Sequence, residues 1–248
     1  MAGPAPALTS TARPWLDQPA PRRYITNQSV INFHVSEVLP HKRERRKQDR
    51  PGELLEAALD LFVEKGFAAT RSEEVAARAG VSKGTLFLYF PSKEELFKAV
   101  VMENVARPVA EGITEAENFQ GNSAELLEWM MLEWWRRYGA TKASGISKLM
   151  MSEAGNFPAL AEFFRANVIL PAQALVRYVL QRGIDRGEFR PTDLHNTIYS
   201  VMAPLIFLVM EKHATGACSS ALQAMDAETF IRHHASLLVR GLTPDKPL

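Results

Sequence analysis

The chain carries a single cysteine, Cys218, among its 248 residues. One thiol excludes an intrachain disulfide and any metal site built from several cysteines, and it suits a reducing cytoplasm. Long apolar runs are missing too. The longest, Val201 to Met210, is about half of the roughly 20 residues that a membrane-spanning helix needs, and Pro204 lies inside it. No apolar h-region follows the start, where Pro4, Pro6, Pro14, Pro19, Pro21 and Pro40 fall instead. Neither a secretory signal nor a membrane partner is expected. Charge of one sign is also lacking: 29 Lys and Arg stand against 28 Asp and Glu. Overall charge therefore selects no partner, although one face can still be basic. There is no P-loop, no dinucleotide glycine pattern and no nucleophile with a matching base, so neither an enzyme nor a cofactor is expected. His195, His213, His233 and His234 suggest a metal, but the adjacent pair points to different sides of a helix, so no metal is expected.

With 46% hydrophobic residues the chain can bury a core. Residues 1–40 lack helical periodicity and read as a disordered tail, a short helix around Gln28–Val38 being the alternative. His41–Arg50, HKRERRKQDR, is strongly basic. It is either a solvated segment or a phosphate-seeking arm in which Arg45 and Arg46 are candidates. Helical code starts at Pro51, a residue that suits a first turn. Leu54, Leu55, Ala58, Leu61 and Phe62 form an apolar stripe of helical period, and Gly66 supplies a stop. Thr70 with Glu73 reads as a capping box for a second helix, Ser82 as the cap of a third, and Ser92 with Glu95 as a box for a fourth. Further helices are expected over Ala124–Tyr138, Lys142–Glu153, Pro158–Arg186 with a kink at Pro171, Pro191–His213 and Asp226–Leu242. No alternating strand pattern of useful length occurs, so the expected fold is all-α.

The segment Ser72–Phe90, SEEVAARAGVSKGTLFLYF, has what a helix-turn-helix requires. Two short helices that cross closely need a small residue at the contact, here Ala76, and a glycine at the turn, here Gly80. Val75, Val81 and Leu86 pin the pair to the core. In such a unit the third helix enters the major groove. Lys83, Gly84 and Phe87 are expected on its outward face, opposite Leu86 and Phe90. Lys83 can donate to guanine or phosphate, Gly84 permits close approach, and Thr85 and Phe87 can touch a thymine methyl or a sugar edge.

The stretch LLEAALDLFVEKGFAATRSEEVAARAGVSKGTLFLYFPSKEELFKAVV resembles the N-terminal domain of the TetR family of transcriptional regulators, from about Arg50 to Val101. GFAAT, AARAGVSKGTL and YFPSKEEL are typical wordings of that family's pattern. Ser147–Gly187 and the helix after it resemble the family's AefR-like branch. The resemblance implies a three-helix DNA-binding unit over 41–101 and a helical ligand-binding and dimerisation domain over 102–248. It also implies a cytoplasmic homodimer on a double-stranded DNA operator, usually a repressor relieved by a small-molecule effector. Thr70, Tyr89 and Lys93 match family positions that commonly contact phosphate. Phe87 stands where many members carry Tyr, which favours apolar contact there.

In the C-terminal region Trp129, Met130, Trp134, Met150, Phe163, Phe164, Tyr178 and Tyr199 are candidate walls of a pocket for a small, largely hydrophobic effector. Each could equally be ordinary core. Val201–Met210 and Phe230–Val239 are apolar enough to bury a face against a second subunit, or within one. Competing readings are a regulator or activator without an effector, and a helical interaction protein that no longer binds DNA.

Overall fold

The computed structural model describes residues 42–214 and 225–244, with side chains from Arg50 onward. The tail 1–40, the helix considered over 28–38, the side chains of Arg45 and Arg46, and Cys218 lie outside the described residues. Every regular element among those described is helical, which makes the chain all-α.

Helix α1 spans Lys42–Ala69 and so starts upstream of the expected Pro51, which lies inside it. Lys, Arg, Glu and Gln are good helix formers, and the basic stretch extends the helix rather than preceding it. Leu54, Ala58, Leu61 and Phe62 are buried along one stripe. Gly66 breaks the helix at φ 83°, ψ 169°, a conformation open essentially to glycine, and one further turn follows to Ala69.

Helices α2 (Ser72–Arg78) and α3 (Lys83–Tyr89) are joined through Gly80 at φ 66°, the turn glycine the motif requires. The start of α2 differs by one residue from the expected Thr70–Glu73 box. Arg71 is the N-cap, and Glu74 accepts its backbone N–H at 3.3 Å. Thr70 is instead turned inward, its buried hydroxyl donating to the carbonyls of Leu61 at 3.1 Å and Gly66 at 2.7 Å. Ser82 and Ser92 cap α3 and α4 (Lys93–Val101), accepting from the N–H of Thr85 and Glu95 at 3.1 Å each.

Helix α4 does not stop where the sequence pattern fades. It passes through a widened π turn, Met102–Ala106, into α5 (Arg107–Glu117). Pro108 hid this continuation; it falls in the first turn of α5, where a missing N–H is tolerated. Helix α6 (Ser123–Trp134) runs into a second wide turn, Trp135–Gly139. Helix α7 (Gly145–Glu153) follows, then α8 (Pro158–Phe164), a third wide turn, Arg165–Ile169, and α9 (Leu170–Asp185). Pro171, where a kink is expected, falls in the first turn of α9, just after this wide turn. Asp193 and Asp226 cap α10 (Leu194–Lys212) and α11 (Ala227–Leu242).

Two apolar clusters hold these helices. In the first, Phe62, Phe67 and Phe97 pack ring against ring at 5.2–5.7 Å. It joins α1–α4 and continues without a break into α7 and α8 through Ile146, Met150 and Leu160. The second joins α6, α9, α10 and α11 through Leu126, Met131, Leu180, Val201 and Ile231. Burying each such side chain contributes about 1.5–3 kcal/mol. Pro158–Asp185 and Leu194–Lys212 are long and apolar enough to cross a membrane by length and composition, which the count of consecutive apolar residues did not register. Both pack within the bundle, with Val179, Leu180, Val201 and Leu205 in the second cluster.

Candidate nucleic-acid interface and ligand cavity

On α3, Leu86 is buried and Phe87 and Tyr89 are half-buried against the first cluster. Phe87 is thus only partly on the outward face expected for it, on the flank of Lys83, whose Nζ lies 5.7 Å from its ring centroid. The outermost side chain is Leu88, 84% exposed, which the sequence reading passed over. At about 100° per residue it projects beside Gly84, away from Leu86 and Phe90. An apolar residue where the helix period calls for a polar one was the available signal. Gly84 is not demanded by internal packing, since a Cβ there would meet nothing nearer than Ser82 Oγ at 3.8 Å. Thr85 keeps its hydroxyl 2.9 Å from Ser82 Oγ.

Lys83 pairs with Glu73 across the turn, Nζ to Oε1 2.5 Å, with both side chains 56% exposed. The hydrogen bond from Lys83 holds the Glu73 carboxyl below the usual carboxylate range. An exposed pair of this kind adds little stability and is readily exchanged for another anion. Two candidate phosphate contacts are placed differently from expectation. Thr70 is buried as described, because its hydroxyl closes the carbonyls beside the Gly66 break. Lys93 donates to the carbonyls of Phe67 at 2.8 Å, Ala68 at 3.3 Å and Thr70 at 3.0 Å. Its ammonium also lies 4.5 Å from the Phe67 ring centroid, so it caps the last turn of α1 rather than facing outward.

A cavity of about 120 Å³ lies among α5, α6, α9 and α10. Each of the three wide turns contributes to its wall: Val105 from the first, Arg137 and Tyr138 from the second, Val168 and Ile169 from the third. Wide turns of this kind recur at functional sites. Of the candidate wall residues, Trp129, Met130, Trp134 and Phe164 line it. Met150 and Phe163 belong to the first cluster, and Tyr178 and Tyr199 are 38% and 51% exposed on the outer faces of α9 and α10. The polar wall residues were missed because aromatic and Met spacing was the only guide. Buried Tyr138 and Ser147 bond to one another, Oη to Oγ 2.6 Å. Burial, outweighing that bond, pushes the Tyr138 phenol up to about 12 and keeps it neutral. Arg137 is held by Glu133 at 3.0 Å and Glu115 at 2.9 Å.

Helix α7 bridges the two regions. Ser147 near its start lines the cavity, and Glu153 at its end accepts the N–H groups of Phe67 and Ala68 at 3.1 Å each. The two apolar stretches expected to meet a second subunit divide between faces. Val201, Leu205, Leu208 and Val209 point inward, while Tyr199, Phe207 at 50% and Leu237 at 52% exposure remain outside.

A helix-turn-helix unit packed on a helical bundle with an internal cavity is the architecture of a DNA-binding regulator. Residues 54–100 match the family model described as bacterial regulatory proteins, tetR family. Residues 123–222 match that of the tetracyclin repressor-like C-terminal domain, a description that does not name the AefR-like branch. The HTH-type transcriptional regulator YfiR of Bacillus subtilis is 29% identical over 161 residues, 64% of this chain and 77% of the relative. RutR of Escherichia coli K12, also an HTH-type transcriptional regulator, is 48% identical over 62 residues, 25% of this chain and 29% of the relative. The TetR family regulator PfmR of Thermus thermophilus superposes with a TM-score of 0.60 at 25% identity, covering 77% of this chain and 99% of that one. The chain belongs to the TetR family of DNA-binding transcriptional regulators.

Proposed function

We propose that the protein is a cytoplasmic repressor that binds a palindromic operator as a homodimer and releases it when a small, largely apolar effector enters the cavity. What carries the DNA-binding part is the outer face of α3, where Leu88 stands 84% exposed beside a glycine that packing does not need. An apolar side chain so displayed is suited to thymine methyls and sugar edges, with Lys83 at the start of the same helix for guanine or phosphate. Thr85, Tyr89 and the basic residues Arg45 and Arg46 complete the proposed interface. The exposed Tyr199, Phe207 and Leu237 form the proposed self-complementary dimer face.

The effector acts through α7. A ligand that prefers one placement of Ser147 biases Glu153 at the other end, and with it the turn that carries α2 and α3. The coupling is limited to the ligand's differential preference, typically about 1–3 kcal/mol. Selection of bound sites from a random DNA library, followed by salt titration of the winner, tests the reading. A palindrome whose affinity falls steeply with salt is the expected result. A folded dimer that enriches no site at low salt would sink the proposal.

A further inference from the structure

Tyr138 and Ser147 are both buried at the cavity wall. Two hydroxyls carry two hydrogens, and one of these makes the 2.6 Å bond between them. Neither hydroxyl has another acceptor among the described residues, so one O–H is left as a donor. Leaving a buried donor without a partner costs free energy, which a ligand oxygen can recover. The rest of the wall, Phe164 and Leu205 among it, is largely hydrocarbon and aromatic surface, with the indole rings of Trp129 and Trp134 adding N–H groups.

Charge at the cavity is already balanced from within. The Arg137 guanidinium gives Nε to Glu133 at 3.0 Å and Nη1 to Glu115 at 2.9 Å. Two carboxylates around this guanidinium neutralise it for an anionic ligand and would repel one. Glu133 also accepts from Arg136 at 3.1 Å, and Arg136 is in turn held by Glu228. The cavity, about 120 Å³, is of the order of the roughly 150 Å³ apolar cavity known to hold a benzene ring.

We infer that the cavity takes an uncharged, largely apolar molecule about the size of one six-membered ring, bearing one acceptor oxygen read by the Tyr138–Ser147 pair, and that it rejects carboxylates. This rests on the effector reading of the same cavity.

Calorimetric titration of the full chain with cyclohexanone, toluene and benzoate tests it, in wild type and in Tyr138→Phe/Ser147→Ala. Removing both hydroxyls should weaken cyclohexanone by about 3- to 10-fold, the worth of one neutral hydrogen bond. Toluene, which uses neither, should bind the variant at least as well. Benzoate should bind wild type at least about tenfold more weakly than cyclohexanone, since its charge would be buried unpaired. Ser147→Ala alone, which leaves the Tyr138 hydroxyl as donor, should retain cyclohexanone and so separates loss of the donor from loss of packing. A parallel loss of cyclohexanone and toluene in the double variant, or benzoate binding as tightly as cyclohexanone, overturns the inference and leaves an apolar effector cavity standing. No binding of any of the three at millimolar concentration, either as heat or as a shift in thermal unfolding, overturns the effector reading itself.

Discussion

The carboxylate of Glu153, at the end of α7, accepts the backbone N–H groups of Phe67 and Ala68 at 3.1 Å each. These are donors that the Gly66 break strips of helical partners. A residue 86 positions away in the chain thus closes the end of α1, and α1 in turn supports α2 and α3. Phe157, just beyond α7, stacks edge-on against Phe67 with centroids 4.8 Å apart. The same α7 presents Ser147 to the cavity, so one short helix and a pair of hydrogen bonds connect the two regions.

Glu153→Ala leaves two backbone donors without their partner. The expected loss is about 1–3 kcal/mol of unfolding free energy, read as a lower denaturant midpoint at unchanged slope. Glu153→Gln, whose amide oxygen can still accept, should recover part of it. Equal midpoints for wild type and Ala would show that water replaces the carboxylate at no cost.

Gly66→Ala forces a side chain into positive φ, and its Cβ would run into the Glu153 carboxylate. A destabilisation of about 1–3 kcal/mol is expected from the backbone alone. Combined with Glu153→Ala the effect should be less than additive, because the clash disappears with the carboxylate. Strict additivity in thermal unfolding would mean that the two residues do not meet.

Leu88→Ala should leave stability within about 0.5 kcal/mol, as for other exposed sites, while operator affinity drops several-fold. Lys83→Ala should reduce the slope of log affinity against log salt by about one, the signature of one lost phosphate contact. An unchanged slope would place Lys83 off the phosphate backbone.

Phe207→Glu should convert the dimer to monomers in sedimentation velocity at micromolar concentration. The side chain is half-exposed on α10, and a carboxylate there would be buried unpaired in an isologous contact. A dimer that persists would move the interface to another face.

His213 lies between α10 and α7, its Nε2 2.8 Å from Ser144 Oγ. Burial first, then the nearby Lys212 and Lys148, hold its pKa below the ordinary 6.5. Because the folded pKa is the lower one, the unfolded chain binds the proton more readily. The stability contribution is complete above about pH 6.5 and is lost as pH falls through the folded pKa. His234, lowered chiefly by burial, adds in the same direction. Denaturant midpoints between neutral and mildly acidic pH should therefore fall, and less so in His213→Gln. Identical profiles would assign the acid sensitivity elsewhere.

Much of this was legible in local chemistry. Ser82, Ser92 and Gly80 each act within three or four residues of themselves, so a cap or a left-handed turn can be recognised from the words around it. The apolar stripe from Leu54 to Phe62 marks its own buried face by period alone. Failures came where a distant element decided the outcome. Thr70 looks like a cap until the carbonyls of Leu61 and Gly66 claim its hydroxyl, and Lys93 looks like a free cation until the end of α1 surrounds it. Tyr178 and Met150 have the same aromatic and Met character as Trp129 and Met130, yet only the latter pair reach the cavity. Side-chain type sets what a residue can do, and periodicity sets which side of its helix it occupies. Which neighbour stands on that side depends on how the helices cross, and that is settled by packing between residues far apart in the chain.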